Sequence, residues 1–133
     1  MRGEALTICS GAAAILLFSA GSSAHHGTAT AYDLNQTVSI TGTVTDFQFT
    51  NPHVLIFFDV MDQDGVVVTW SAGLTSPLRV ARSDGWSKDT LKLGDQISIT
   101  GFPARSGAPS LWVEQIFLDG KPLLGRFYRY TTG

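Results

Sequence analysis

Cysteine is almost absent from the chain, which has one such residue, Cys9, among 133. Cys9 lies inside an apolar N-terminal segment, well before the more polar remainder of the sequence. A domain formed by the later residues therefore has neither a disulfide framework nor a cluster of thiolate ligands. Any metal ion that it binds must be held by nitrogen and oxygen atoms.

An excess of positive charge is also missing. The chain has 9 Lys and Arg against 11 Asp and Glu, which gives a formal net charge of -2. Proteins that bind nucleic acids normally carry a basic face, because they must neutralise phosphates. The composition therefore predicts that nucleic acid is not a partner of this protein.

The motifs of the common catalytic sites are missing as well. There is no Cys nucleophile in the body of the chain, no glycine-rich phosphate loop and no Ser/His/Asp order with supporting loops. Asp62 and Asp64 lie in an ordinary turn, and the spacing around Gly65 does not match a helical calcium loop, which would place Val60 at a ligand position. The sequence does not predict an enzyme.

One apolar run is long enough to require an explanation. Residues 5–20 read ALTICSGAAAILLFSA, and small residues follow as far as Ala24. This is the layout of a secretory signal, with Ser22 and Ala24 at the positions that precede the cut. The alternative is a membrane anchor, but a span needs about 20 apolar residues and this run is shorter. We expect residues 1–24 to be a signal peptide, and the mature protein to be periplasmic or secreted without an integral membrane segment.

The remaining sequence has the period of β-strands. Residues 25–35 form an N-terminal arm, and residues 36–133 are predicted to form one small β-barrel domain. Strands are predicted at residues 36–49, 53–61, 66–71 and 110–118, a further strand follows a turn at Gly94-Asp95 within 91–101, and the segment 121–130 is a candidate for a sixth. The run at 53–61 is almost continuously apolar, as in a strand that is covered on both faces. In the first strand the apolar residues change from even to odd positions after Val44, which predicts a bulge at Gly42 or at Thr45 and Asp46.

A short helix is predicted between the third and fourth strands. Ser76 is suited to the N-cap, Pro77 to the first helical position and Gly85 to the stop. Three strands, a helix and two more strands is the order of an oligonucleotide/oligosaccharide-binding (OB) barrel. The predicted fold class is therefore all-β: a small five- to six-stranded OB-like Greek-key barrel with one short helix between strands three and four. A different small barrel or a two-sheet sandwich is the alternative.

Several short motifs occur together in this chain. They are AHH at residues 24–26, GTVTDFQFTNPHVLIFFDV at 42–60, the Gly85-Trp86 pair, LKLGDQISITGFPA at 91–104 and the Gly125-Arg126 pair. With this combination the chain resembles a family of small exported bacterial proteins that is catalogued as a domain of unknown function. The resemblance covers nearly all of the chain after the signal, and it implies an exported single-domain bacterial protein with no established activity. The family typically continues Ser-Phe after the two histidines, whereas Gly27 and Thr28 follow here.

The chain has three histidines: His25, His26 and His53. Cleavage after Ala24 would make His25 the first residue, so that its α-amine and ring Nδ1 could chelate one ion. Cu(II) suits such a nitrogen set, and His53 or His26 would provide a third nitrogen. In TNPHV, Pro52 fixes the backbone and presents His53 at a rigid corner. We therefore predict a metal site at His25, His26 and His53, with copper as the cofactor; the alternative is that His53 has a structural role at the rim of the barrel.

The second functional hypothesis is a binding module without metal. Exposed members of one aromatic and aliphatic set would then line a face for an exported protein, a glycan or another small ligand. The set consists of Phe47, Phe49, Leu55, Phe57, Trp70 and Trp112. The alternative is that these side chains fill the core, because a domain of this size has few other large residues.

Trp86 is predicted to close one end of the barrel. The oligomeric state and the role of the basic aromatic segment from Arg126 to Tyr130 do not follow from the sequence.

Overall fold

A computed structural model of the protein describes residues 27–124, and these form six strands and two helices. The elements are α1 (Gly27–Ala31), β1 (Val38–Gln48), β2 (Leu55–Met61), β3 (Val67–Gly73), α2 (Pro77–Asp84), β4 (Gln96–Pro103), β5 (Ser110–Leu118) and β6 (Lys121–Pro122). Predicted and observed bounds agree to within a few residues for α2 and for the first five strands.

The strands form one closed barrel. Their order is β3-β2-β1-β4-β5-β6, and an additional parallel pairing between β3 and β5 joins the two sides of the sheet. All other neighbouring strands are antiparallel. This is the five-stranded Greek-key topology of an OB barrel with one extra strand. The predicted fold class is confirmed, and the alternative of a two-sheet sandwich is wrong.

Closure depends on a bend in β1. The N-terminal half of β1 pairs with β4, and the C-terminal half pairs with β2, while Thr43 has a partner in both strands. The register with β2 shifts between Val44 and Asp46, so that Thr45 is the extra residue. A bulge bends and twists a strand locally, which lets one strand serve both sides of the barrel. The predicted bulge is confirmed at the second of its two candidate positions.

The inward faces of the strands supply the core. Fully buried aliphatic and aromatic side chains come from β1, β2, β4 and β5, from the segments before β2 and after β3, and from α2: Val44, Val54, Ile56, Phe58, Leu74, Val80, Ile97, Ile99, Leu111, Val113 and Ile116. The strand β2 is covered less completely than its sequence predicts. Ile56 and Phe58 are buried, but Leu55 and Phe57 on the opposite face are only partly buried. One face of β2 is therefore fully buried in the core, and the other face is partly covered.

The helix α2 places Trp86 against the core. It begins at Pro77 after Ser76 and ends at Gly85, whose φ of 71° lies in the left-handed region that glycine adopts without strain. The following Trp86 is buried, packs edge-on against Phe47 and donates a 2.9 Å hydrogen bond from Nε1 to the carbonyl oxygen of Leu123. Both ends of the predicted helix are confirmed.

Two elements near the ends of the described segment differ from expectation. The N-terminal arm contains the five-residue helix α1, which the sequence did not predict. The sixth strand is only the two residues of β6, and residues 125–130 of the predicted segment lie outside the described residues. Within residues 27–124, neither helix has the length and apolar character needed to cross a membrane.

We predict that Gly42→Ala destabilises the barrel. Gly42 is buried on β1, and a methyl group at this position would overlap the backbone oxygen of Asp59 on β2 and lie 2.8 Å from Cδ2 of Phe58. Backbone cannot move aside as a flexible side chain can, so the free energy of unfolding should fall by about 1–3 kcal/mol. Denaturant unfolding measures this loss. Gly27→Ala is the control, because nothing lies within 4 Å of the added methyl group; equal stability of the two variants would contradict the close approach of β1 and β2.

Candidate functional site

The candidate site is built around Trp112 at the start of β5. The flanking residues Leu111 and Val113 are fully buried in the barrel, so Trp112 between them projects to the outer face. There its ring packs over Gly73 of β3, the residue that pairs with it across the parallel junction. A methyl group on residue 73 would lie 3.1 Å from Cε3 and Cζ3 of the indole. The absence of a side chain at Gly73 thus creates the space that Trp112 occupies.

His53 lies against the same indole from the loop between β1 and β2. The imidazole and indole centroids are 5.3 Å apart, and the ring planes are nearly perpendicular at 86°. The loop contains a cis peptide bond between Asn51 and Pro52. Val54, which follows His53, is fully buried. The N–H of Val54 donates to the carbonyl oxygen of Thr75 at 3.0 Å. The burial and the hydrogen bond of Val54 fix the backbone next to His53, although the His53 side chain is exposed.

Tyr32 covers another part of the indole and brings the N-terminal arm with it. Its ring centroid is 5.9 Å from that of Trp112. Its hydroxyl lies 3.3 Å from Oγ of Ser110, which accepts a 3.0 Å hydrogen bond from the hydroxyl of Ser71. Tyr32, His53, Gly73 and Trp112 are called the Trp112 cluster below.

Backbone hydrogen bonds fix the N-terminal arm to the end of β4 and to the loop after it. Asp33 donates its N–H to the carbonyl oxygen of Pro103 at 2.9 Å, and Arg105 donates its N–H to Ala31 at the same distance. The Nε of Arg105 also donates to the carbonyl oxygen of Ala29 at 3.3 Å. Tyr32 therefore reaches Trp112 as part of a segment with several independent attachments.

The structure describes only one of the three predicted metal ligands. His53 is described and lies in the Trp112 cluster, whereas His25 and His26 lie outside the described residues. The structure does bring together His53 and the segment that follows His26, because His53 and Tyr32 contact the same ring. Within residues 27–124, no group of three His, Cys, Asp or Glu side chains could hold a metal ion.

The aromatic set proposed for a metal-free binding face is mostly covered. Trp112 is buried, and the other five members, Phe47, Phe49, Leu55, Phe57 and Trp70, are partly buried. Phe47, Phe49 and Trp70 pack against the core, as the alternative expects, whereas Leu55, Phe57 and Trp112 lie on the outer face. Trp112 could not be assigned to the outer face from sequence, because the space over Gly73 depends on a pairing between residues 39 positions apart, Gly73 and Trp112.

The exposed apolar surface lies elsewhere, on the hairpin of β2 and β3. Met61, Val66, Val67 and Val68 are exposed by 69%, 54%, 53% and 37%. Sequence reasoning missed this patch because three consecutive valines are typical of an interior strand. The signal was present in the Asp-Gly turn, which places these residues at the tip of a hairpin.

A shallow groove of about 440 Å³ lies on the opposite side of the barrel. It is lined by Thr41, Gln96, Ser98, Phe117 and Asp119 together with Ile97 and Gly120. Hydrogen bonds between side chains of β1 and β4 cross its floor, including one from Thr41 to Ser98 at 3.2 Å. These polar groups already satisfy one another, so the groove has no set of groups directed at a ligand.

We predict that Tyr32→Ala releases the N-terminal arm from the barrel while the barrel stays folded. The variant loses the ring contact with Trp112 and the hydroxyl contact with Ser110, so local opening of the arm becomes easier. Hydrogen exchange followed by NMR should show faster exchange at the amides of Asp33 and Arg105, which bond across the junction. Tyr32→Phe is the matched control, because it keeps the ring. Unchanged exchange in Tyr32→Ala would mean that the tyrosine does not hold the arm.

Comparison with known proteins places the chain in a family. Among solved structures it is similar to the mitochondrial single-stranded DNA binding protein Rim1 of S. cerevisiae, with 14% identity and a TM-score of 0.48 over 62% of this chain and 92% of that one. It is also similar to the N-terminal domain of PriB from Thermoanaerobacter tencongensis, with 15% identity and a TM-score of 0.45 over 63% and 96%. No curated protein matches the chain. Residues 13–111 match a family of unknown function, DUF6152. The chain belongs to this family, as its motifs predicted.

Proposed function

We propose that this protein is an exported bacterial binding module that holds one Cu(II) ion at the rim of its barrel and serves in storage, delivery or sensing of the metal. The ligands are the α-amine and ring of His25, exposed by cleavage after Ala24, and the ring of His53, with His26 as a further ligand. The observation that carries the proposal is that Tyr32 and His53 pack on one indole.

The reach of the N-terminal arm supports this arrangement. The Tyr32 and His53 rings lie 5.9 and 5.3 Å from the ring of Trp112, so their centroids are at most about 11 Å apart. The helix α1 extends about 1.5 Å per residue over its five residues, and the two residues before it can add at most about 7 Å. The arm between His25 and Tyr32 thus spans at most about 14 Å, which is enough to bring the amine to His53.

The state of His53 supports a role as ligand. Its side chain is exposed, and its contact with Trp112 is made between rings. Among the described residues, no hydrogen bond involves the imidazole nitrogens. A metal ligand needs an imidazole nitrogen that is not used in another hydrogen bond and a ring in a fixed position, and both conditions are met at the TNPH corner.

Copper is the metal that this set of ligands favours. An amine and two or three imidazole nitrogens suit the tetragonal geometry of Cu(II), and an oxidising compartment maintains that oxidation state. Zinc is also bound by imidazoles, but most of its sites add a thiolate or a carboxylate. Asp33 is the acidic residue nearest to the arm, but one of its carboxylate oxygens already accepts the N–H of Asn35 at 3.1 Å. Copper therefore requires no rearrangement of the described residues.

A metal-free module for an exported protein is the second candidate, and the exposed aliphatic hairpin favours it. Single-stranded DNA is not proposed as a ligand, although one of the two similar structures is of a protein named for binding single-stranded DNA. Residues 27–124 contain six Lys and Arg against ten Asp and Glu. Such a surface repels the phosphates that a nucleic-acid interface must neutralise.

Electron paramagnetic resonance of the copper-loaded protein tests the proposal. The sample is the protein recovered from the exported fraction, with His25 verified as its first residue by N-terminal sequencing. We expect a tetragonal Cu(II) spectrum with hyperfine coupling to nitrogen, and one copper per chain. His53→Ala should weaken binding by at least about tenfold, since loss of even an outer-sphere partner of a metal costs 10- to 100-fold.

Two variants separate this site from adventitious binding. An N-terminally acetylated variant lacks the chelate of amine and Nδ1 but keeps all three imidazoles, and it should change the spectrum as strongly as His25→Ala. Asp119→Asn on the turn before β6 is the control, because it lies on the groove at the other side of the barrel. The copper site would be contradicted if His25→Ala and the unmodified protein gave the same spectrum. It would also be contradicted by a spectrum without nitrogen coupling, and the metal-free module would then be the remaining candidate.

A further inference from the structure

The strand β3 has a free edge over part of its length. It pairs with β2 from Val67 to Gly73, but it pairs with β5 only at Ser71, Ala72 and Gly73. Before Ser71, no other described strand lies beside it. The segment Val66–Trp70, called the hairpin edge below, therefore extends past the closed barrel with one side unpaired in the described structure.

The hydrogen-bonding groups on the hairpin edge can be assigned from the neighbouring junction. The N–H of Ser71 donates to the carbonyl oxygen of Pro109 at 3.0 Å, so the backbone groups of Ser71 are directed toward β5. Backbone groups alternate between the two sides of a strand. Val67 and Thr69 therefore direct their N–H and C=O groups to the free side, and Val68 directs its own to β2.

The side chains of the hairpin edge are apolar on one face, whereas the other face carries Val67 and also Thr69, whose hydroxyl donates to the Asp59 carboxylate at 2.7 Å. Val68 pairs with Val60, and Trp70 pairs with the buried Phe58, so this face continues the interior of the barrel. Val67 pairs with Met61 on the other face, and each is more than half exposed. Isolated proteins usually protect a free edge with charge, proline or a bulge. The segment VVVTW has none of these features, which is typical of an edge that is covered in the assembled protein.

We propose that the hairpin edge pairs with the hairpin edge of a second copy of this chain, antiparallel and about a two-fold axis at Val68. The free segment has five residues, bounded by the turn at Gly65 and by the β5 junction at Ser71, and Val68 is its centre. A two-fold axis there uses the whole free segment of both copies. Val67 would exchange two hydrogen bonds with the second copy's Thr69, and symmetry would repeat them.

The side chains fit this register. Val66 would lie opposite the second copy's Trp70, and the two Val68 side chains would lie opposite each other. Cross-strand pairs of aromatic and β-branched residues are stabilising. The face formed by these residues is continuous with the two barrel interiors, and no charged residue lies within Val66–Trp70.

Length and charge favour a second copy over an unrelated strand. A longer strand would meet the turn at Gly65 at one end and the loop at Pro109 at the other, because Ser71 is already bonded there. The turn is acidic, with Asp62 and Asp64. In the antiparallel arrangement the two turns lie at opposite ends of the junction, so their carboxylates do not repel each other. The arrangement is isologous and closes as a dimer.

Cysteine cross-linking tests the register directly. The full chain with Cys9→Ala has no other cysteine, so Val68→Cys introduces a single thiol. Residues opposite each other in a non-hydrogen-bonded pair have Cα atoms about 4.5 Å apart, within the range of a disulfide. We expect mild oxidation to give a covalent dimer. Val66→Cys is the matched control: the two copies of residue 66 would be about 14 Å apart, and this variant should stay monomeric on a denaturing gel.

Sedimentation across protein concentrations tests the interface itself. The protein should be in a monomer–dimer equilibrium, and Val68→Lys should raise the dimer dissociation constant by at least about tenfold by placing two charges opposite each other. Thr69→Pro should do the same, because it removes an N–H on the free side without breaking a bond to β2. Leu93→Lys is the control, since Leu93 is 71% exposed but lies outside the hairpin.

Three results would overturn the proposal. A protein that stays monomeric at the highest concentration measured has no such interface. A dimer that is equally strong in Val68→Lys and Thr69→Pro uses another surface. Efficient cross-linking of Val66→Cys but not of Val68→Cys would exclude the two-fold axis at Val68. None of these results depends on copper, so the dimer and the metal site are tested separately.

Discussion

The closure of the barrel depends on a short parallel junction between β3 and β5. Only three residues of each strand take part, Ser71–Gly73 and Ser110–Trp112. Every other long strand pairing in the barrel is antiparallel and longer. The bulge in β1 bends the sheet far enough for these two strands to meet, and Gly73 provides the space in which the indole of Trp112 can lie across the junction.

The position and the length of this junction determine two surface features, the Trp112 cluster and the hairpin edge. At the junction, Trp112 is covered by His53 from one loop and by Tyr32 from the N-terminal arm, so that segments far apart in sequence meet on one ring. Outside the junction, the four residues Val67–Trp70 of β3 have β2 as their only described neighbour. One feature of the pairing thus gives both a rigid corner that presents a histidine and a free apolar edge.

Features that depend on local chemistry could be predicted from the sequence. The phase change after Val44 identified the bulge, Ser76, Pro77 and Gly85 identified α2, and Ile97 and Ile99 identified the inner face of β4. The order of the elements then indicated the barrel. These predictions succeeded because turn geometry, helix ends and alternation are set by residues close together in the chain.

Features that depend on pairing between distant residues could not be predicted. The position of Trp112 on the outer face, its contact with His53 and the projection of Val66–Val68 beyond the barrel all follow from which residues of β3 meet β5. The helix α1 has no capping signal and is held by contacts with the loop after β4. The histidine pair was identified from sequence, and the structure contributes the attachment of the segment that follows it.

The central claim is that the N-terminal histidines and His53 meet beside Trp112, and paramagnetic NMR tests it most directly. Substoichiometric Cu(II) is added to the isotope-labelled protein whose first residue is His25. The account predicts that the indole N–H of Trp112 and the amides of Tyr32 and His53 broaden first, while those of Val66, Val67 and Val68 stay sharp. Broadening centred on the acidic turn at Asp62 and Asp64, with the signals of Trp112 unchanged, would contradict the account.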